Sequence, residues 1–349
     1  LTYSPSGTSN LSASSSSGLT VTYSSSNTAV ATVSGSTLSI ISAGSTTITA
    51  SQAGNDNYNA ATSVTQSLTV SKANSSITAT GSSSFTYTGS AQGPATADVT
   101  GSTGARTYSY SGTGGTSYSA SSTAPTNVGT YEVIASVAAD DNYNAATSAA
   151  LAFSINKANQ AITFGALSEL TYSPSGTSNL SASSSSGLTV TYSSSNTAVA
   201  TVSGSTLSII GAGSTTITAS QAGNDNYNAA SVVSQTQVIN KANQTITFGA
   251  LSNLTYSPSG TSNLSASSSS GLTVTYSSSN TAVATVSGST LSIISAGSTT
   301  ITASQAGNDN YNAATSVTQS LTVSKANSSI TATGSSSFTY TGSAQGPAT

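Results

Sequence analysis

The side chains able to do chemistry in this chain are few. There are eight carboxylates, four lysines, one arginine and many serines, threonines and tyrosines, with no histidine, cysteine, methionine or tryptophan. General acid–base work at neutral pH needs an imidazole, a thiol or a tuned pair of carboxylates. The serines have no imidazole to activate them, so no nucleophilic site is expected and the chain is read as a non-enzyme. Thiolate, haem and ordinary zinc chemistry are excluded by composition. Five basic residues in 349 leave no phosphate-binding surface, so no nucleic-acid partner is expected.

Three kinds of site remain open. Asp140 and Asp141, with Asn142, form an oxygen-rich loop, and Gly54–Asn59 is a similar Gly-Asn-Asp-Asn-Tyr-Asn run. Calcium is the one cofactor such loops admit, although it takes six to eight oxygens and each type A loop has a single Asp, which also forms turns by itself. One lysine per repeat beside many asparagines raises a Lys–Asn isopeptide bond, against which the lysines lie at boundaries rather than in apolar runs. Tyr87, Tyr108, Tyr110 and Tyr118 with Arg106 raise a sugar-stacking patch, against which core packing is the commoner use of such rings.

The elements that hold these residues follow from internal repetition. Lys-Ala-Asn occurs at Lys72, Lys157, Lys241 and Lys325, at spacings of 85, 84 and 84 residues, and these are all the lysines. Two repeat types alternate between them. Type A occupies 1–71 (N-terminally truncated), 157–240 and 241–324, and type B occupies 72–156 and starts again, truncated, at 325–349. Residues 1–96 recur unchanged as 254–349, so the period is A-B-A, and a longer chain with more periods is expected. Within 241–324, apolar residues alternate at 245–248, 254–256, 272–276, 282–286, 291–293, 301–303 and 317–323, separated by Gly, Ser and Asn-Asp turns. That pattern predicts about seven or eight half-buried strands per repeat, as in a sandwich. No segment has a sustained helical period or an apolar run of membrane-spanning length.

The stretch Val274-Thr-Tyr-Ser-Ser-Ser-Asn280-Thr-Ala-Val-Ala-Thr-Val286, followed by Gly297-Ser-Thr-Thr-Ile301-Thr-Ala303, resembles the bacterial immunoglobulin-like domains of group 2. Type B, with Phe85–Gly89, Val128–Tyr131 and Asp141–Ala146, is similar to MBG-type repeats of large bacterial surface proteins. The resemblance implies an all-β tandem array of Ig-like antiparallel sandwiches of about 84 residues, in a secreted adhesin at the bacterial cell surface. It implies no ligand.

About three residues, without a Gly/Ser or Pro spacer, join one repeat to the next, which predicts semi-rigid stacking into an elongated rod. The expected partners are then neighbouring repeats of the same chain. Tyr58, Tyr143, Tyr227 and Tyr311 are expected at a corner between the last two strands, ring in the core and hydroxyl on a backbone group. Three functions compete: an extender that projects a distal adhesive domain, a filament joining copies of the chain, and a multivalent carbohydrate-binding array. Monomeric rods, ordered bundles, and binding that climbs with repeat number respectively distinguish them.

Overall fold

The computed structural model describes residues 1–331 and 339–343, and every regular element among them is a β-strand. Most of the truncated type B start at 325–349 lies outside the described residues. The chain divides into two compact units, Leu1–Ala161 with Ala222–Ala230, and Ile162–Gln221 with Ser231–Thr349.

In the second unit, the repeat 241–324 shows how the pattern folds. Its sequence alternates β-branched and small polar residues, so each strand has one face to bury. One sheet orders Thr261–Asn263, Thr290–Ile293 and Ala284–Ser287; the other orders Leu254–Thr255, Val317–Ser324, Gly297–Ser304 and Thr275–Ser278. Ala284, Leu291 and Ile293 from the first sheet meet Ile301, Leu321 and Val323 from the second in one core. The leading segment Ile246–Phe248 pairs antiparallel with Ala266–Ser268 and drops Ile246 and Phe248 into the same core. Gln319 Nε2 fixes it by donating to the Phe248 carbonyl at 2.7 Å.

One departure from an all-antiparallel sandwich recurs. Leu254–Thr255 runs parallel to Val317–Ser324, Leu170–Thr171 parallel to Val233–Asn240, and in type B Ser84–Thr86 parallel to Leu151–Asn156. The break after Phe248 lets one stretch of chain serve two sheets: it pairs first with a neighbour in one, then crosses to the far edge of the other.

In the first unit, type B carries the strand order Arg106–Thr113, Gly129–Val137, Leu151–Asn156, Ser84–Thr86, with Ser76–Thr80 and Thr96–Thr100 paired separately. Its core is aromatic, with Tyr110, Tyr131 and Phe153 buried together beside Val133 and Ile155. The type A repeat 1–71 of this unit has a smaller core around Val30, Leu38, Ile40, Ile48 and Val70.

At the start of the long central strand the two types differ in chemistry. Type B places Tyr131 there, 2% exposed, its hydroxyl donating to the Asn127 carbonyl at 2.7 Å. That is a tyrosine-corner geometry, and it falls on a residue the sequence reading left unassigned. Type A has threonine instead. Thr299 is buried, and its Oγ1 accepts the Asn280 N–H at 3.0 Å beside the Ser278 hydroxyl at 2.8 Å; Thr46 and Thr215 repeat the arrangement. Substituting Phe for Tyr131 removes one buried hydrogen bond and leaves the Asn127 carbonyl short of a donor. A loss of about 1 kcal/mol is expected in urea unfolding; an unchanged midpoint would remove the corner from the account.

Candidate functional site: the repeat junction

The two motifs that recur once per repeat, Lys-Ala-Asn and Asn/Asp-Asp-Asn-Tyr-Asn, lie about 70 residues apart in sequence and meet in space. In the loop the first residue makes the turn. Asp140 Oδ1 accepts the N–H of Asn142 and of Tyr143 at 2.9 and 2.8 Å, and Asn308 Oδ1 does the same for Asn310 and Tyr311 at 2.8 and 2.9 Å. Asn55 and Asn224 repeat it. A short side-chain acceptor two residues before a donor is what an Asx turn requires.

The linker then lies along the loop. Ala242 N–H donates to the Asn310 carbonyl and receives the Asn312 N–H on its own carbonyl, both at 2.9 Å. Ala73 pairs in this way with Asn142 and Asn144, and Ala158 with Asn226 and Asn228. Side chains extend the pairing: Asn312, Asn228 and Asn144 donate to Asn243, Asn159 and Asn74 at 2.8, 2.8 and 3.0 Å. The linker lysine closes the far end. Lys72 Nζ donates to the Asp140 carbonyl at 2.6 Å, Lys157 to Asn224 and Lys241 to Asn308, both at 2.7 Å.

The loop also reaches back past the linker to the preceding repeat. Asn142 Oδ1 accepts the Ala43 N–H at 2.8 Å, Asn226 Oδ1 the Val128 N–H at 3.0 Å, and Asn310 Oδ1 the Ala212 N–H at 2.8 Å. Each donor stands just before the glycine that opens a central strand. Beside this bond the loop tyrosine meets a ring of the preceding repeat edge-on. Tyr143 lies 5.4 Å from Tyr3, Tyr227 lies 5.3 Å from Tyr87, and Tyr311 lies 5.4 Å from Tyr172, at interplanar angles of 81–86°. Edge-to-face rings at this distance attract through the quadrupole as well as by area.

Several expectations change accordingly. Tyr143, Tyr227 and Tyr311 were expected inside their own repeats; their rings instead pack across the junction, because the Asx turn aims them outward, toward the preceding tyrosine. Tyr58, in the same loop of the repeat 1–71, is 53% exposed. Asp140 is committed to its own turn: beyond the two Oδ1 bonds, its Oδ2 accepts the backbone N–H and hydroxyl of Thr103 at 2.8 and 3.2 Å. Asp141 stays exposed, and no group of three or more acidic or histidine side chains able to hold a metal occurs among the described residues. The lysine amines face backbone carbonyls rather than asparagine amides, which is not an isopeptide geometry. The type B tyrosines are dispersed. Tyr110 is buried with its hydroxyl on the Pro94 carbonyl, Tyr118 lies on Tyr131, and Tyr87 is spent on the junction. Burial pushes the Tyr110 and Tyr131 phenols up, with Tyr118 adding to both and Tyr108 to the first, so both stay neutral donors.

The residues missed by sequence reasoning are Asn142, Asn226 and Asn310, and the receiving rings Tyr3, Tyr87 and Tyr172. Their signal was present as a co-recurrence: wherever Lys-Ala-Asn leads a described repeat, Asn-Tyr-Asn comes after it at a fixed distance, and a Thr-Tyr pair precedes both in the repeat before.

Four donors on one carboxylate hold Asp140 at about 2 against an ordinary 3.8, the Thr103 N–H contributing most, then the N–H groups of Asn142 and Tyr143 and the Thr103 hydroxyl. The folded value is below the unfolded one, so this stabilisation is complete above the unfolded value and fades as pH falls toward 2. Exchange protection at Asn142 and Tyr143 is expected to weaken between pH 4 and pH 2. In Asp140→Asn, which keeps only the Oδ1 acceptor, it is expected to be lower at pH 7 and flat over that interval. An equal acid response in both would refute the assignment.

No family model matches the chain, and no curated protein matches it. Among solved structures it is similar to Drosophila N-cadherin EC1-4, at 11% identity and a TM-score of 0.27 over 91% of this chain and 94% of that one. It is similar to protocadherin gammaB7 EC3-6, at 12% identity and a TM-score of 0.29 over 92% and 96%. A third is surface layer protein SbsC, domains 1-6, at 16% identity and a TM-score of 0.23; 88% of this chain matches 50% of that one. Likenesses at this level carry no inference about activity or partner.

Proposed function

We propose that this chain is a stretch of an extracellular extender, a run of Ig-like repeats that holds a distal adhesive domain away from a bacterial cell surface and passes load along its length. The observation that carries this is the junction. At each of three linkers the same backbone pairing, lysine cap, asparagine reach and tyrosine contact recur, supplied wholly by the chain itself. A linker held on both sides by hydrogen bonds has lost the free dihedrals that make short connections hinge. The clasps use neutral amides and an ammonium where a divalent cation could otherwise tie neighbours together. The faces that remain are coated in serine and threonine hydroxyls with little charge, as suits a passive spacer.

Small-angle scattering on the whole chain tests this. The extender reading expects a long particle with the same maximum dimension with and without chelator. It also expects the triple variant Asn142→Ala, Asn226→Ala, Asn310→Ala to scatter as a more flexible chain. A compact particle, or one that collapses on chelation, would overturn the reading. Growth with concentration would put the filament in its place.

A further inference from the structure

The repeats 1–71 and 254–324 have the same sequence, yet they do not have the same surface. In the second unit, Ile246–Phe248 lies against Ala266–Ser268 and, with Leu251, over the core. In the first unit no described segment takes that place beside 1–71, and the side chains it would cover stand open. Leu321 is 2% exposed and Ala303 fully buried, whereas the identical Leu68 and Ala50 are partly exposed; Val317 is half-buried and its twin Val64 is 64% exposed. Together they line a groove of about 810 Å³ with Leu11, Tyr23, Leu38 and Ile48.

The receiving edge keeps its shape without the strand. Ser15 Oγ sits 2.9 Å from Ser17 Oγ and donates to the Leu19 carbonyl at 3.1 Å, as Ser268 does to Ser270 and Leu272 at 2.9 and 2.8 Å. Ala13–Ser15, the twin of the paired Ala266–Ser268, therefore holds its backbone ready with no strand on it. Gln66, the twin of the Gln319 that anchors the Phe248 carbonyl, is exposed.

We propose that this open face is a donor-strand site, which takes from another chain a segment of the sequence Gln244–Leu251. The recognition chemistry is visible where the site is filled: apolar side chains at the first, third and sixth places of Ile-Thr-Phe-Gly-Ala-Leu, strand hydrogen bonds to the 13–15 edge, and one glutamine on a carbonyl. Groove and segment are both uncharged, so nothing opposes their approach. Strand addition of this kind draws affinity from main-chain pairing and specificity from alternate side chains. The site does not depend on the extender reading; it would let one array be joined to the next by the same contacts that complete a repeat internally.

The test is titration of a fluorescein-labelled peptide of sequence Lys241–Asn253 into the whole chain, followed by anisotropy and by amide exchange. Saturable binding of one peptide per chain is expected, since the other type A repeats already carry their strand, with new protection at 13–15 and 64–68. A peptide carrying I246D and F248D is expected to bind at least about ten-fold less tightly, because both anchors lose their apolar burial. Absence of saturation at millimolar peptide, equal binding of the doubly substituted or a scrambled peptide, a stoichiometry above one, or protection elsewhere would each overturn the proposal.

Discussion

Alanine at Gly307 is expected to open the clasp between the repeats 157–240 and 241–324 while leaving the strands of both in place. Gly307 has φ +79°, and a Cβ there would stand 2.3 Å from the Tyr311 carbonyl oxygen and 2.8 Å from the Asn312 carbonyl carbon. These are backbone atoms of the loop that holds Lys241 and Ala242, so no side chain can swing aside to relieve the clash. An L-residue in this region of φ is strained even in open space. We expect a loss of about 2–4 kcal/mol, combining strain with the junction bonds that cannot re-form. Native-state amide exchange checks it. The N–H groups of Ala212, Ala242 and Asn312 should exchange much faster, while Ile301 and Leu321 stay protected. Equal acceleration throughout would mean that the loop is part of the core's own fold and not a separable clasp. Gly54 and Gly223 sit in the same relation to Tyr58 and Tyr227, at 2.4 Å in each case.

Truncating Ile301 to alanine is expected to cost more than truncating its twin Ile48, although both stand in the same sequence. Ile301 is fully buried under the leading strand, and removing three carbons there leaves a cavity that close-packed neighbours cannot fill. A loss of about 2–5 kcal/mol is expected from the transfer and cavity terms together. Ile48 is 8% exposed and lines the open groove, so water already reaches its surroundings and less burial is lost. We expect Ile48→Ala to cost less than half as much, read from local exchange in 1–71 and 254–324. A peptide that fills the groove should bring the two values together. Equal costs without peptide would mean that the groove is closed in solution.

The all-β class, the strand runs at 245–248, 291–293 and 317–323 and the turns between them were legible because burial on one face writes alternation into the sequence. Thr261–Asn263 and Ala266–Ser268 were not, since their exposed Ser/Thr side chains carry no alternation and only the neighbouring strand makes them strands. The parallel pairing of Leu254 was invisible for a related reason: a two-residue strand has no period. The junction was half legible. Lysine spacing marked the linkers, and the Asn-Asp turn marked the loops. Periodicity describes which way a side chain faces within its own repeat, however, and is silent about contacts with the next one, so Tyr311 was sent inward and Asn310 was passed over.

The reach of each loop back to the preceding repeat also fixes an order of events. The bond from Ala212 to Asn310 spans 98 residues, and Lys241 waits 67 residues for the carbonyl of Asn308. A chain that emerges with its N-terminus first can form the sandwich 157–240 as soon as that stretch is out. Its coupling to the repeat 241–324 locks only when nearly all of that second sandwich has appeared. During export the most recent joint is therefore always slack, and stiffness advances along the thread one repeat behind its point of exit.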